Sequence, residues 1–229
     1  MKNLLIIYNR ELFLSLKKRK MILCLTVLLI SFSLIFLLIL NYIIIDIKTK
    51  TEIDYNLIKI FIHIGKTAII MFSTIVPMLF FSTSINLDKK NMNIENLLNT
   101  NITKKDIVLG KYIKGVFSSI TLLFSLLPIF YLSIMFGGID INNIIKIILL
   151  AIFLILFASS VYLYISSIFY EINTAVFVSI FISIFLSLAI ILYLTYNENN
   201  LNHILVLLFM SILTIIFLKL TMNSKIFRY

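Results

Sequence analysis

The feature that most constrains the fold is an uncharged, strongly apolar run of 25 residues, Met21–Ile45. An α-helix needs about 20 apolar residues to cross the roughly 30 Å hydrocarbon core of a bilayer. A cleavable signal peptide has a shorter apolar core of about 7–15 residues followed by a small-residue cleavage site, and this run has neither property. It therefore predicts an uncleaved transmembrane helix.

Five further apolar runs follow, and the composition agrees with a membrane protein: 61% of the 229 residues are hydrophobic and 13% are charged. Soluble domains carry about 25% charged residues, so a water-soluble enzyme is excluded. Barrel strands alternate apolar and polar residues over about ten positions, whereas these runs are continuously apolar. The sequence predicts an all-α membrane protein, in which residues 1–229 form a single transmembrane domain with spans at about 21–45, 60–86, 115–136, 147–170, 172–196 and 201–218. The second span begins either near Ile60 or near Thr67.

The positive charges predict the orientation of these spans. Fifteen of the 20 Lys and Arg residues lie in the N-terminal segment, the connection between spans two and three, and the C-terminal tail. Cytoplasmic loops carry an excess of Lys and Arg, so both termini are expected in the cytoplasm. The net charge of +10 is then explained by the membrane topology. The lipid bilayer is an expected partner, and no nucleic-acid partner is expected.

Residues 1–20 are not expected to span the membrane, because Arg10 and Glu11 interrupt the apolar residues and the basic cluster Lys17–Lys20 follows. An apolar face beside a basic end is typical of an amphipathic helix lying in the membrane interface. The alternative is a solvated leader that only sets the topology.

Motifs for catalysis and metal binding are missing from the sequence. The two histidines, His63 and His203, are far apart and have no H-E-x-x-H motif or cysteine partner. Gly65-Lys66-Thr67 resembles the end of a phosphate-binding loop, but Ile60 stands where that motif needs glycine. We expect no catalytic residue, no metal and no cofactor bound by this chain.

His63 and Lys66 are three residues apart, so they share one helix face near the predicted external end of span two. Charged groups in a membrane often mark a substrate path. The alternative is that Lys66 extends to the lipid headgroups, or that both side chains lie in water.

The connection between spans two and three is the most informative segment. Apolar residues keep a helical i, i+3, i+4, i+8 spacing at Ile94, Leu97, Leu98 and Ile102, which predicts a short amphipathic helix at the membrane surface. An exposed Leu97–Leu98 pair with a basic rim would suit a groove on another protein. The alternative is an interfacial loop without a partner.

A second helix is predicted to begin just after Thr103 and to continue into span three. Asp106 lies three residues beyond Thr103 and is followed by apolar residues. This arrangement resembles a capping box, with Asp in the position usually held by Glu.

At these residues the chain resembles the permease subunits of ABC-2 type ABC transporters. The family has an acidic-basic-basic start, then Gly-Thr-x-Glu-x-Leu-Leu, Thr-x-Pro and an Ile-Val-Leu-Gly-Lys-like run. The corresponding residues are Asp88-Lys89-Lys90, Met92-Asn93-Ile94-Glu95, Leu97-Leu98, Thr100-Asn101 and Ile107-Val108-Leu109-Gly110-Lys111. Met92-Asn93 replaces Gly-Thr, and Asn101 replaces Pro.

The resemblance implies a bacterial cell-membrane exporter subunit that works as a homodimer or as a heterodimer with a second permease. ATP binds to a separate ABC ATPase subunit, which contacts an N-terminal elbow helix, with Arg10 and Glu11, and a coupling helix between spans two and three. The implied ATPase-coupling residues are Glu95, Leu97, Leu98, Asn101, Ile102, Thr103, Lys104, Lys105 and Asp106. The substrate is not implied.

Two other functions remain open from the sequence. One is an ion-coupled secondary carrier, for which ionisable or broken-helix sites near the midplane would be expected. The other is a non-transporting membrane scaffold or immunity protein.

Overall fold

The computed structural model describes residues 6–10, 26, 30, 41, 55–91, 93–99, 102–125, 141–196 and 200–224. Within these ranges all regular structure is helical. The helices with defined bounds are α1 (Tyr55–Phe81), α2 (Ser84–Lys90), α3 (Asn93–Leu98), α4 (Lys104–Phe124), α5 (Ile141–Ile168), α6 (Ile172–Tyr196) and α7 (Asn200–Met222).

Among the described residues, five stretches of helix are long and apolar enough to cross a bilayer. The protein is therefore an all-helical, multi-pass membrane protein. The five stretches are Gly65–Lys90, which takes in much of α1 and all of α2, and Lys104–Phe124, Asn142–Ile168, Ile172–Leu194 and Leu205–Met222.

Helix α5 lies at the centre of the described bundle and packs against α1, α2, α4, α6 and α7. Its buried face carries small residues, including Ala151, Ala158 and Ser159, none of which has any exposed surface. Small side chains let helix backbones approach closely, which is how membrane helices gain packing contacts without a hydrophobic driving force between them.

Helix α6 is polar on its buried face and apolar on its exposed face. Ser179, Ser183 and Ser187 are buried at intervals of four residues, while Phe177, Phe181 and Phe185 are 73%, 69% and 71% exposed. Water would oppose the exposure of three phenylalanines on one stripe, whereas lipid tails accept it. The phenylalanine stripe is therefore an apolar outer surface of the described bundle that suits an apolar environment.

Several predicted spans agree with the observed helices. The helix predicted at 172–196 is confirmed with the same bounds, and the predicted fourth and sixth spans lie within α5 and α7 except for a few terminal residues. The predicted first span, 21–45, lies outside the described residues except for Thr26, Ile30 and Asn41, which are all helical.

The second and third predicted spans differ from the observed helices. α1 begins before Ile60 and ends at Phe81, where Ser82 and Thr83 interrupt the helix. α4 begins at Lys104 and continues past Gly115, the predicted start of span three, so the helix predicted to begin just after Thr103 and to continue into that span is confirmed. Residues 126–136 of that predicted span lie outside the described residues.

Helices α1 and α4 approach each other closely at Gly115. A Cβ atom at this position would lie 2.2 Å from Cζ of Phe81. The Phe81 ring is 1% exposed, and it also packs near Tyr112 with ring centroids 6.3 Å apart. Glycine is therefore required at position 115 for Phe81 to keep its place.

We expect Gly115→Ala to destabilise the bundle. Overpacking a filled core costs about 1–3 kcal/mol, and the 2.2 Å approach to Phe81 places this change toward the upper end, above the roughly 1 kcal/mol that Ala gains over Gly inside a helix. The measurement is the midpoint of thermal unfolding in detergent, with the neighbouring Ser118→Ala as the control. Adding Phe81→Leu should recover part of the loss; equal stability of Gly115→Ala and the native chain would contradict the close approach.

Candidate functional site at the basic end of the bundle

One end of the bundle collects the lysines of the connection predicted to carry function. We call this region the basic end and define it as residues 84–91, 93–99, 102–106, 166–171 and 219–224. Lys104 and Lys105 line an open cleft together with Met222, Asn223 and Ser224, while the Lys89 Nζ lies 4.9 Å from the ring centroid of Tyr170. The start of α4, the end of α5 and the end of α7 therefore meet here.

The break between α1 and α2 is held by a hydroxyl group from α5. The first backbone amides of a helix have no intrahelical acceptor, and Thr83, at the N-cap of α2, makes no side-chain capping bond. Instead, the amides of Ile85 and Asn86 donate to the Ser166 Oγ at 3.0 and 3.4 Å. Ser166, from a helix distant in sequence, thus caps the start of α2, where the N-cap residue Thr83 makes no side-chain bond.

Asn86 extends this contact into a buried polar network. Ser166 Oγ–H donates to the Asn86 Oδ1 at 3.0 Å, and the Asn86 Nδ2 donates to the backbone oxygen of Glu171 at 3.5 Å. Asn86 and Ser166 are both buried. The network joins α2 to the end of α5 and to the short turn that leads into α6.

A buried ion pair lies beside this network. The Lys111 Nζ, from the second turn of α4, is 2.5 Å from the Asp88 Oδ2 in α2, and the two side chains are 4% and 12% exposed. Lys111 also donates to the backbone oxygen of Ser84 at 3.2 Å. The other carboxylate oxygen of Asp88 accepts from the Asn93 Nδ2 of α3 at 3.4 Å. Asp88 therefore contacts both α4 and α3.

The predicted short amphipathic helix is present as α3, and it contains Glu95, Leu97 and Leu98. Ile94 is buried, and Leu97 and Leu98 are half-buried. The expectation of an exposed leucine pair is therefore wrong, because Leu98 packs against the central core cluster. Ile102 lies beyond the end of α3, next to the N-cap of α4.

The predicted capping box at the start of α4 is confirmed. The Asp106 amide donates to the Thr103 Oγ1 at 3.3 Å, and the Thr103 amide donates to the Asp106 Oδ2 at 3.2 Å. The Thr103 hydroxyl adds a third bond to the same carboxylate oxygen at 2.7 Å. Both orphan amides are thereby satisfied, and the turn between α3 and α4 has a defined end. Lys104 is half-buried and Lys105 is exposed just inside this cap.

His63 and Lys66 lie apart from the basic end. Both are in α1, where His63 is exposed and Lys66 is half-buried. At 1.5 Å per residue, the continuous helix from Lys66 to Phe81 separates them from α2 by roughly 20 Å. The structure does not bring them together with the other candidate residues.

The remaining candidates lie near the N-terminus or in the connection. Arg10 belongs to the helical residues 6–10, in which Ile7 is fully buried. Glu11 and Asn101 lie outside the described residues. Within the described part of the chain, no cluster of three His, Cys, Asp or Glu side chains could hold a metal ion.

Sequence reasoning missed the polar residues that organise this end. Asp88 and Lys111 belong to the motif of the resemblance, but the spacing of the motif does not show that they pair. The motif does not include Asn86 or Ser166. The available signal is weak: Asn86 and Asp88 lie at the end of an apolar run, where polar residues are usually boundary residues.

We expect Ser166→Ala to destabilise the protein more than Ser167→Ala. The first change leaves the amides of Ile85 and Asn86 without their acceptor, and an unsatisfied buried polar group costs about 1–3 kcal/mol. Ser167 is a matched control, because it is also buried and its hydroxyl donates to the Tyr164 oxygen of its own helix. Thermal unfolding in detergent measures the difference, and equal effects would contradict the capping role.

We expect Thr103→Ala to loosen the first turn of α4 locally. Loss of an N-cap costs about 1 kcal/mol, so exchange of the Asp106 amide with deuterium should accelerate by roughly fivefold. Thr121→Ala, an exposed position in the same helix whose hydroxyl bonds the Phe117 oxygen, should leave this amide unchanged. No acceleration in Thr103→Ala would show that the cap does not protect the turn.

Comparison of the chain with protein-family models, curated proteins and solved structures finds no match. The features of this chain that bear on its function are the helices α2 and α3 between α1 and α4, the ion pair that anchors them and the lysines of the basic end.

Proposed function

We propose that the protein is the membrane-spanning permease subunit of an ATP-driven exporter of the ABC-2 type. It moves its substrate with energy supplied by a separate ATPase subunit that docks at the basic end. The observation that carries the proposal is the folded connection between α1 and α4, in which α2 ends the first spanning stretch and the short helix α3 follows it. A passive connection between spans needs only a few polar residues, whereas this one is folded, anchored and capped.

The surface of this connection suits a partner protein. Leu97 is half-buried and so has apolar surface left to contribute. Exposed lysines stand before and after α3 in this connection, at Lys90 and Lys105. An apolar centre with a polar, charged rim is the usual anatomy of a protein interface. Leu98 and Ile94 face the core and hold α3 in place, so Leu97 and the motif residue Glu95 are the proposed contacts on α3, with Lys104 and Lys105 beside them.

The charge distribution supports a cytoplasmic position for the basic end. Lys89, Lys90, Lys104 and Lys105 lie at the same end of the bundle as Lys219, in the last turn of α7. By the positive-inside rule this end faces the cytoplasm, where ATP and a soluble ATPase are available. In this arrangement the C-terminus is cytoplasmic, and with six spans the N-terminus is cytoplasmic too.

The remaining parts of the proposal follow the same resemblance. Residues 6–10 belong to the N-terminal elbow helix, and the run at 21–45 is the first of six spans. The permease pairs with a second copy or with a related permease. His63 and Lys66 lie near the external face, where they would meet a substrate leaving the membrane.

The test is co-purification of the full chain, in mild detergent, with an ATPase subunit encoded next to it. We expect Leu97→Ala and Glu95→Ala each to weaken the complex by about tenfold, since truncating a central contact costs roughly 1–2 kcal/mol. Asn99→Ala is the matched control, because Asn99 is exposed and directly follows α3. Leu98 is left unchanged because it supports the core.

Two outcomes would contradict the proposal. If no ATPase subunit co-purifies with the native chain, a scaffold or immunity protein becomes the better description. If the ATPase binds but Leu97→Ala and Asn99→Ala behave alike, the docking surface lies elsewhere on the chain.

A further inference from the structure

The ion pair between Asp88 and Lys111 is unusual because both partners are almost completely buried. Removing two charges from water is expensive, and the attraction between them often does no more than offset that cost. A buried pair is therefore weak evidence for stability. It is better explained by a requirement for one specific arrangement of the elements that it joins.

The elements joined here are the two short helices and one spanning helix. Lys111 approaches α2 from α4, where it contacts the Asp88 carboxylate and the Ser84 oxygen. Asp88 in turn accepts from Asn93 in the first turn of α3. A continuous chain of polar contacts thus runs from α3 through Asp88 to the second turn of α4.

α3 and α4 are two separate helices. α3 has six residues and ends at Leu98, and the capped helix begins only at Lys104. Two kinds of contact bypass the connection: the apolar packing of Ile94 and Leu98 on the core cluster that includes Val108 of α4, and the polar contacts through Asp88.

We propose that Asp88 and Lys111 are positioning residues that fix α3 to α4, so that displacement of α3 by a docked partner moves the spanning helix. This inference rests on the proposed function only for the identity of the partner. The mechanical part, that the ion pair holds α3 at a fixed distance from α4, concerns the isolated chain.

A second set of polar contacts, between α2 and α5, also holds α2 in place. Ser166 and Asn86 fix α2 to the end of α5, so Asp88 lies on a helix that is itself held by the central helix of the bundle. A movement of α3 is then passed to both α4 and α5 and is not confined to α2 and α3.

The first experiment measures this attachment without any ATPase. Spin labels are placed at Asn99, just after α3, and at Phe117 in α4, both exposed, in a Cys24→Ser background. Pulsed electron paramagnetic resonance gives the distribution of distances between them in lipid nanodiscs. We expect the distribution to become at least twofold wider in the double variant Asp88→Asn/Lys111→Met than in the labelled parent.

Two further variants separate positioning from folding. The single change Lys111→Met leaves a buried carboxylate without its cation and is expected to unfold at lower temperature, whereas the double variant removes both charges and should regain most of that stability. Lys114→Met is the matched control: it removes a lysine one turn further along α4 that lies over the Phe80 ring of α1. It should leave the distance distribution unchanged. An unchanged width in a folded double variant would overturn the proposal.

The second experiment adds the ATPase subunit and a non-hydrolysable ATP analogue. Labels at Phe117 in α4 and Leu188 in α6, both exposed, report movement of the spanning helices. In the native complex the analogue should shift the mean distance. In the double variant, with ATPase added until the same fraction of complex forms, the shift should fall at least threefold. An equal shift in both complexes would overturn transmission through the ion pair. If the first experiment succeeds and no ATPase binds, the proposed function fails while the attachment of α3 stands.

Discussion

The basic end of this bundle depends on one constraint: a lipid-embedded chain must satisfy its polar groups from within. The break after Phe81 leaves backbone amides at the start of α2, those of Ile85 and Asn86, that are buried away from water. Ser166 accepts from both of them, and Asn86 extends the contact to Glu171. The charge of Lys111 is matched by Asp88 in the same way. The position of the short helices therefore follows from polar satisfaction across helices as much as from apolar packing.

The same constraint explains the distribution of side chains in the outer helices. α6 turns its serines inward and its phenylalanines outward, because hydroxyl groups bond backbone oxygens of their own helix, as Ser179 does with Ala175, and so pack as small residues. Apolar side chains gain little from being buried inside the protein, because the surrounding lipid tails are equally apolar. In such a protein the positions of the helices are set by close packing between them, as at Gly115, and by buried charges such as Asp88 and Lys111.

Sequence patterns predicted the local features well. The continuous apolar runs predict the all-helical class, and the polar residues that flank one run predict the bounds of α6. The spacing of Thr103 and Asp106 predicts the capping box. The pairing of Asp88 with Lys111 could not be predicted, because it depends on how two helices cross. Helical periodicity places Leu97 and Leu98 on one face of α3 but does not say which of them meets the core.

The cap supplied by Ser166 also sets an order for the assembly of the chain. The amides of Ile85 and Asn86 are separated from Ser166 by 81 and 80 residues. At a synthesis rate of about 5–20 residues per second, roughly 4–16 s elapse between the emergence of α2 and that of its acceptor. During this interval the second and third apolar helices can enter the membrane, but the start of α2 must rely on interfacial water. The basic end is therefore the part of the bundle that is completed late, when α5 arrives beside α1.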